Sequence, residues 1–230
     1  MKKIGIMGAM DDEVSSYLIS LKNKEITKKI GCKFYSGLLN NKNVVIVKSG
    51  VGKVNSTMCA QVLIDVFNVD FIIFTGVAGA LNPDLNIYDI VISKDCVQHD
   101  VDATTLGFKR GQILYSDLFN FVADINLVDI AKKCTNELEL HSIVGRILTG
   151  DQFINDINYA NKIAKELNGD CVDMESAAVG HVCCLNNLPF LIIRSISDNA
   201  NHSSHVDFPV FCKEAAKKSF KLVTNILDKL

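Results

Sequence analysis

The chain has no excess of charge of either sign. Lys and Arg total 24 against 26 Asp and Glu, a formal net charge of −2 over 230 residues. That balance sets up no field strong enough to draw nucleic acid or an anionic membrane, so neither is expected as a partner. Long apolar runs are also missing. The longest, such as Phe71 to Phe74, fall far short of a membrane span. Met1-Lys2-Lys3 opens like a signal peptide, but Gly5 and Gly8 break the apolar stretch and Asp11, Asp12 and Glu13 follow. A cytoplasmic protein is expected. No C-x-x-C pair occurs among the eight cysteines, and Cys183 and Cys184 are adjacent. Neither a zinc ribbon nor a disulfide framework fits, and the cysteines read as small buried apolar groups. Only three prolines occur, and there is no Ser/Gly-rich linker, charge block or repeat. One domain over residues 1–230 is expected. Its hydrophobic share of 48% is ordinary for a globular chain with a full-sized core.

Short apolar runs alternate with helical patterns. Lys3 to Gly8, Val44 to Val47, Phe71 to Phe74, Ile90 to Ile92, residues 143–149, Cys171 to Met174 and Phe190 to Ile193 read as strands. Helices are expected near 124–137, 157–168 and 176–185. Residues 54–67 read as a helix with Val54, Met58, Val62 and Val66 on one face. The chain ends in a helix with Phe211, Ala215, Leu222 and Ile226 inward. Continuous apolar strands alternating with helices indicate a mainly parallel sheet covered on both faces. Ligands of such α/β folds collect beyond the carboxyl ends of strands, and Glu13, Gly76, Glu175 and Asp198 all fall just after expected strands.

Several familiar patterns fail on inspection. Gly5-Ile6-Met7-Gly8 lacks the glycines of a dinucleotide fingerprint. Gly50-Val51-Gly52-Lys53 resembles the end of a phosphate-binding loop, but Val54 replaces the required Ser or Thr, so close backbone packing is the better reading. Gly76-Val77-Ala78-Gly79-Ala80 reads as a tight turn, either structural or ligand-binding. His99-Asp100 and the pair His202 and His205 lack acidic or cysteine partners at ligand spacing, so no metal is expected. No G-x-S-x-G elbow surrounds Ser204. Asp11 and Asp12 read as first-turn acids favoured by the helix dipole. Glu13 and Glu175 fit that role or a chemical one, and Arg194 and Asp198 fit a plain ion pair or a site. All four being structural together is the weaker reading.

Three stretches, Gly8 to Glu13, Val172 to Ser176 and Arg194 to Asp198, combine carboxylates, an arginine and apolar neighbours. With Lys48 to Val54, Thr75-Gly76, Ala78-Gly79, Gly150-Asp151 and Phe153-Ile154, they resemble, nearly end to end, the 5′-methylthioadenosine/S-adenosylhomocysteine nucleosidases of the purine nucleoside phosphorylase/uridine phosphorylase superfamily. The resemblance implies an α/β fold, specifically a nucleoside phosphorylase-like three-layer α/β/α sandwich with a mixed central sheet, no cofactor, and a homodimer. It implies Glu13 as the base that activates water and Asp198 as the acid that protonates adenine N7. Arg194 would position the water and Glu13, while Met174 and Glu175 would hold the ribose. Phe153 would read and stack on adenine. Met10, Val51, Ile154 and Phe208 would line the base and 5′-thioalkyl pockets, with Val77, Ala78 and Ser197 also touching substrate. Leu106 would come from the partner subunit. Substrates would be methylthioadenosine, adenosylhomocysteine and 5′-deoxyadenosine. Val77 stands where many members carry Ser or Thr, Leu106 where an aromatic is common, and Asp173 where Glu is common. Phosphorylases of the superfamily place an arginine and a hydroxyl at the positions of Phe74 and Val77, so hydrolysis is expected. Aminodeoxyfutalosine as substrate is the alternative, and a purine sensor without catalysis is a reading from another class.

Overall fold

The structure, a computed structural model, describes residues 2–199 and 208–230, with 198–199 and 208–211 described by their backbone alone. His202, Ser204 and His205 lie outside the described residues.

In chain order the elements are β1 (Lys3–Gly8), α1 (Asp11–Ser20), β2 (Lys22–Lys29), β3 (Cys32–Leu39), β4 (Lys42–Lys48), α2 (Lys53–Asp65), β5 (Phe71–Ala80) and β6 (Ile90–Gln98). Then follow β7 (Phe121–Val122), α3 (Ile125–Glu137), β8 (Ser142–Thr149), α4 (Ile157–Leu167), β9 (Cys171–Asp173), α5 (Ser176–Leu185), β10 (Phe190–Asn199) and α6 (Phe208–Lys229). Buried β-branched residues dominate the central strands, as in Val44 to Val47 and Ile72-Ile73. Asp124 starts α3 by accepting the Leu127 N–H at 3.0 Å, and Asp156 starts α4 on the N–H groups of Asn158 and Tyr159.

The strands form one mixed α/β sheet with helices on both sides. α1 and α3 pack on α6 at one face, and α2 packs on α5 at the other. The expectation of a mainly parallel sheet is corrected. Pairings β1–β4, β1–β5, β5–β10, β6–β8 and β8–β9 are parallel, but β2–β3, β3–β4, β5–β9, β6–β7 and β6–β10 are antiparallel. Hairpin strands β2 and β3 escape a pattern search because β2 (KNKEITKK) is almost entirely exposed. Its lysines suit an edge that must not recruit another strand. Antiparallel contacts of β10 with β6 and of β9 with β5 close five strands, β5, β10, β6, β8 and β9, into a ring.

The ring determines where β5 is left without a partner. One side of β5 pairs with β10 throughout. Its other side pairs with β1 as far as Phe74 and does not meet β9 until Gly79 and Ala80. Between them, residues 75–78 have an open edge. The expected turn at Gly76 to Ala80 is therefore an extended strand, and Gly76 and Asp198 lie within strands rather than after them.

Helix α2 is turned opposite to its apolar pattern. Ser56, Cys59, Ala60 and Leu63 face the core, whereas Val54, Met58 and Val66 are exposed. Leu63→Ala should lower the unfolding free energy by about 2–5 kcal/mol, the usual result of emptying a packed site. Ile19→Ala, at an 85% exposed position, should change it by less than about 0.5 kcal/mol. Urea unfolding of the two variants checks this; equal losses would place the core wrongly.

Candidate active site

Glu13, on the first turn of α1, fills the open edge of β5. One carboxylate oxygen accepts the N–H groups of Ala9 (2.6 Å) and Met10 (3.0 Å), and the other accepts that of Val77 (3.0 Å). Glu13 thus does cap its own helix, but it also satisfies a strand N–H that no neighbouring strand reaches. It is only 4% exposed. Burial raises its pKa, against the pull of Arg194 and the three N–H donors.

Arg194 enters from β10 beneath Glu13. Its Nε donates to Asp173 Oδ2 at 2.6 Å and to Ser176 Oγ at 3.1 Å. The guanidinium lies 4.2 Å from the Phe74 ring centre, so Phe74 is its apolar floor. Asp173 also accepts from Thr149 Oγ1 (2.6 Å), Glu175 N (3.2 Å), Ser176 N (3.1 Å) and the Ser176 hydroxyl. Those donors fix its carboxylate in place opposite Arg194. Glycine at position 76 makes room, because a Cβ there would run into Arg194 Nη1 and Glu13 Oε1.

Glu175, between β9 and α5, completes the acidic cluster. Its Oε1 accepts the Gly52 N–H at 2.9 Å, and its Oε2 lies 4.0 Å from Arg194 Nη2. Burial, then the Asp173 charge, pushes its pKa up to about 7. Gly52 reaches it with φ +99°, a conformation that favours glycine. The packing role read for these glycines is thus more specific: one of them is a hydrogen-bond donor to a buried acid.

An apolar cavity of about 230 Å³ opens over this cluster. It is lined by the expected Met10, Glu13, Val51, Val77, Ala78, Phe153, Met174, Glu175 and Ser197. Ile154 lines a small adjoining recess. Arg194 lies behind the wall rather than in it. Sequence reasoning missed the roles of Asp173, Gly52, Ala9, Gly79 and Val172; only Asp173 carried a signal, as an acid next to Glu175. The Asp198 backbone is paired with Gly79 at the cavity edge, while its side chain and that of Phe208 lie outside the described residues. Leu106 ends a single 3-10 turn at Thr104–Leu106, is 66% exposed and is not part of this cavity's wall. His99 is buried, with Nδ1 3.4 Å from the Tyr159 hydroxyl. Among the described residues no three His, Cys, Asp or Glu side chains gather at metal-binding range, and no helix is long and apolar enough to cross a membrane.

Acids held protonatable by burial, a fixed arginine and an apolar cavity define an enzyme-like site for a small, mostly apolar molecule with a few polar handles. The fold that carries it is that of the phosphorylase superfamily, whose family model matches residues 3–228, and the chain belongs to that superfamily. Similar solved structures include the 5′-methylthioadenosine/S-adenosylhomocysteine nucleosidase of Colwellia psychrerythraea 34H in complex with adenine. It is 36% identical, covering 100% of this chain and 96% of that one, with a TM-score of 0.95. The nucleosidase of the same kind from Neisseria meningitidis, in complex with methylthio-immucillin-A, is 32% identical over 100% of both chains with a TM-score of 0.95. A futalosine hydrolase mutant of Helicobacter pylori strain 26695 is 33% identical over 100% of both chains, again with a TM-score of 0.95.

The raised pKa of Glu175 has a consequence for stability. Unfolded, the group titrates near 4.5; folded, near 7. Stability it contributes is fully present below pH 4.5 and is lost as pH rises through 7, by roughly 3 kcal/mol over that interval. Glu175→Gln removes the titration, so its melting temperature relative to the parent should rise between pH 5 and pH 8. An unchanged difference between the two pH values would refute the burial argument.

Proposed function

We propose that this protein hydrolyses the N-glycosidic bond of 5′-methylthioadenosine, S-adenosylhomocysteine and 5′-deoxyadenosine, releasing adenine, as one domain over residues 1–230. The observation that carries the reading is the placement of Glu13 and Glu175 on the wall of one apolar cavity, with Arg194 buried behind them. Nucleoside hydrolysis as a class is supported by the similar structures, which are nucleosidases and a futalosine hydrolase.

The chemistry follows from the groups present. Breaking a bond from C1′ to a base nitrogen builds positive charge on the sugar, and nearby anions stabilise it. Glu13, anchored through three N–H groups, takes the proton from the attacking water; its raised pKa makes its anion the stronger base. Glu175 accepts from the ribose 2′ and 3′ hydroxyls beside Met174. Asp198 supplies the proton to adenine N7, so that the base leaves neutral. Phe153, at the cavity mouth and 57% exposed, offers a ring to stack on adenine and backbone groups to its edge. Met10, Val51, Val77, Ala78, Ile154, Ser197 and Phe208 surround base and 5′ substituent. Phosphorolysis is disfavoured because Phe74 is fully buried as the floor under Arg194 and Val77 brings no hydroxyl. The second reading is aminodeoxyfutalosine, supported by the futalosine hydrolase match at essentially the same identity.

Adenine release should need neither phosphate nor metal. Glu13→Gln and Asp198→Asn should each cut turnover by roughly 10²–10⁴. The Glu13 amide also turns a donor towards one of three N–H groups, a further cost of about 1–3 kcal/mol in stability. Adenine release from methylthioadenosine, adenosylhomocysteine and aminodeoxyfutalosine, with and without phosphate, checks this. Strict phosphate dependence would overturn the hydrolase reading, near-normal turnover of Glu13→Gln would overturn its mechanism, and a purine sensor would release nothing.

The same reading includes a homodimer that supplies Leu106 to the partner's 5′ subsite. Its support is the outward stripe of α2. Val54 and Met58 join Ile113, Val182 and Leu185 around a shallow groove, and Val54 and Leu185 are more than half exposed. Met58→Glu should yield a monomer with much reduced turnover on light scattering and assay. A fully active parent monomer would sink this claim.

A further inference from the structure

Lys53, dismissed as a phosphate ligand on its sequence context, is instead held on three sides. Its Nζ donates to Asp100 Oδ1 at 2.8 Å and to Gln98 Oε1 at 3.1 Å. Its backbone N–H donates to Asp151 Oδ1 at 2.8 Å, and the Asp151 N–H donates back to Asp100 Oδ2 at 3.0 Å. Lys53, Asp100 and Asp151 therefore close a ring of hydrogen bonds across three segments: the start of α2, the turn after β6 and the loop after β8. The Lys53 and Asp100 side chains are 20% and 17% exposed, so the pair is shielded rather than solvated.

The ring has little slack. Gly150, next to Asp151, sits directly on the His99 ring, where a Cβ would lie 2.5 Å from Nε2. Gly52, next to Lys53, gives its N–H to Glu175. With the Lys53 N–H tied to Asp151, the peptide joining Gly52 to Lys53 is held at one end, and Gly52 is the most freely rotating link in the path. A displaced Gly52 would leave Glu175 without its only backbone donor among the described residues, beside Asp173 and Glu13.

We propose that the Lys53–Asp100–Asp151 ring is a positioning device for the ribose subsite: it fixes the Gly52 N–H that orients Glu175, without itself touching the ligand. This rests on the reading of Glu175 as the ribose-hydroxyl acceptor. A ring that merely capped α2 would affect stability and nothing in substrate discrimination.

Two measurements on the full chain separate these roles, using Lys53→Met, which keeps the stem and removes the ammonium, and Lys53→Arg, which keeps the charge. The first is amide hydrogen exchange without ligand. Gly52 should exchange at least about tenfold faster in Lys53→Met, stay within about threefold of the parent in Lys53→Arg, and leave the Ile73 amide of β5 unchanged. The second is the ratio of kcat/KM for methylthioadenosine to that for its 2′-deoxy counterpart. That ratio should fall by about tenfold in Lys53→Met and be restored in Lys53→Arg. Unchanged Gly52 exchange would overturn the proposal. So would an unchanged ratio in a Lys53→Met protein that only melts earlier. If the parent acts on neither nucleoside, the substrate reading fails while the Gly52 exchange still decides whether Lys53 holds this loop.

Discussion

Arg194 and Asp173 face each other at 2.6 Å with side chains 1% and 2% exposed. Burial on that scale costs several kcal/mol per ion unless each charge is paired and its remaining hydrogen-bonding capacity used. Asp173 meets that condition with donors from Thr149, Glu175, Ser176 and Arg194. Arg194 meets it in part, through Asp173 and the face of Phe74, and among the described residues leaves Nη2 without a hydrogen bond but near Glu175. The rest of the site is built around that pair. Asp173 balances Arg194 first, and the pull of Arg194 on the further acids Glu13 and Glu175 is weaker than the effect of their burial. Burial therefore raises both pKa values. Groups in that state accept protons more readily than exposed carboxylates do.

Strand geometry sets where this pair sits. Closing five strands into a ring forces β5 to leave β1 before it reaches β9, and the backbone exposed in that interval needs partners. Glu13 supplies one from the start of α1, so a helix-capping residue and a sheet-edge acceptor are the same side chain. Gly76 keeps the interval narrow enough for Arg194 and Glu13 to lie against the strand. The cavity is thus a by-product of topology lined with whatever the strand ends present, mostly small apolar residues with few polar handles.

The outward face of α2 shows the limit of pattern reading. A stripe of Val54, Met58, Val62 and Val66 meets the usual criterion for a core-facing helix. In the fold, the opposite face with Ser56, Cys59, Ala60 and Leu63 is inside, because small residues let α2 approach α5. Periodicity identifies an apolar face; it does not say whether the face meets its own core or another surface.

The sequence by itself determined the α/β alternation, because runs such as Phe71 to Phe74 and Phe190 to Ile193 are apolar on both faces and suit only a covered sheet. It also determined the helix at Ser176–Leu185 and the acids Glu13 and Glu175, which stand next to such runs. Local composition carries that much because burial acts on each element separately. Its local patterns did not reveal the mixed sheet, which only the family resemblance implied, since strand direction leaves no local trace and β2 is too polar to read as a strand. Nor did it reveal that Arg194 pairs with Asp173, that Gly52 holds Glu175, or that Lys53 turns to Asp100. These partners are 21, 123 and 47 residues apart. Only tertiary structure decided them, because burial makes a polar group bond to whatever the fold brings near, whatever its distance along the chain.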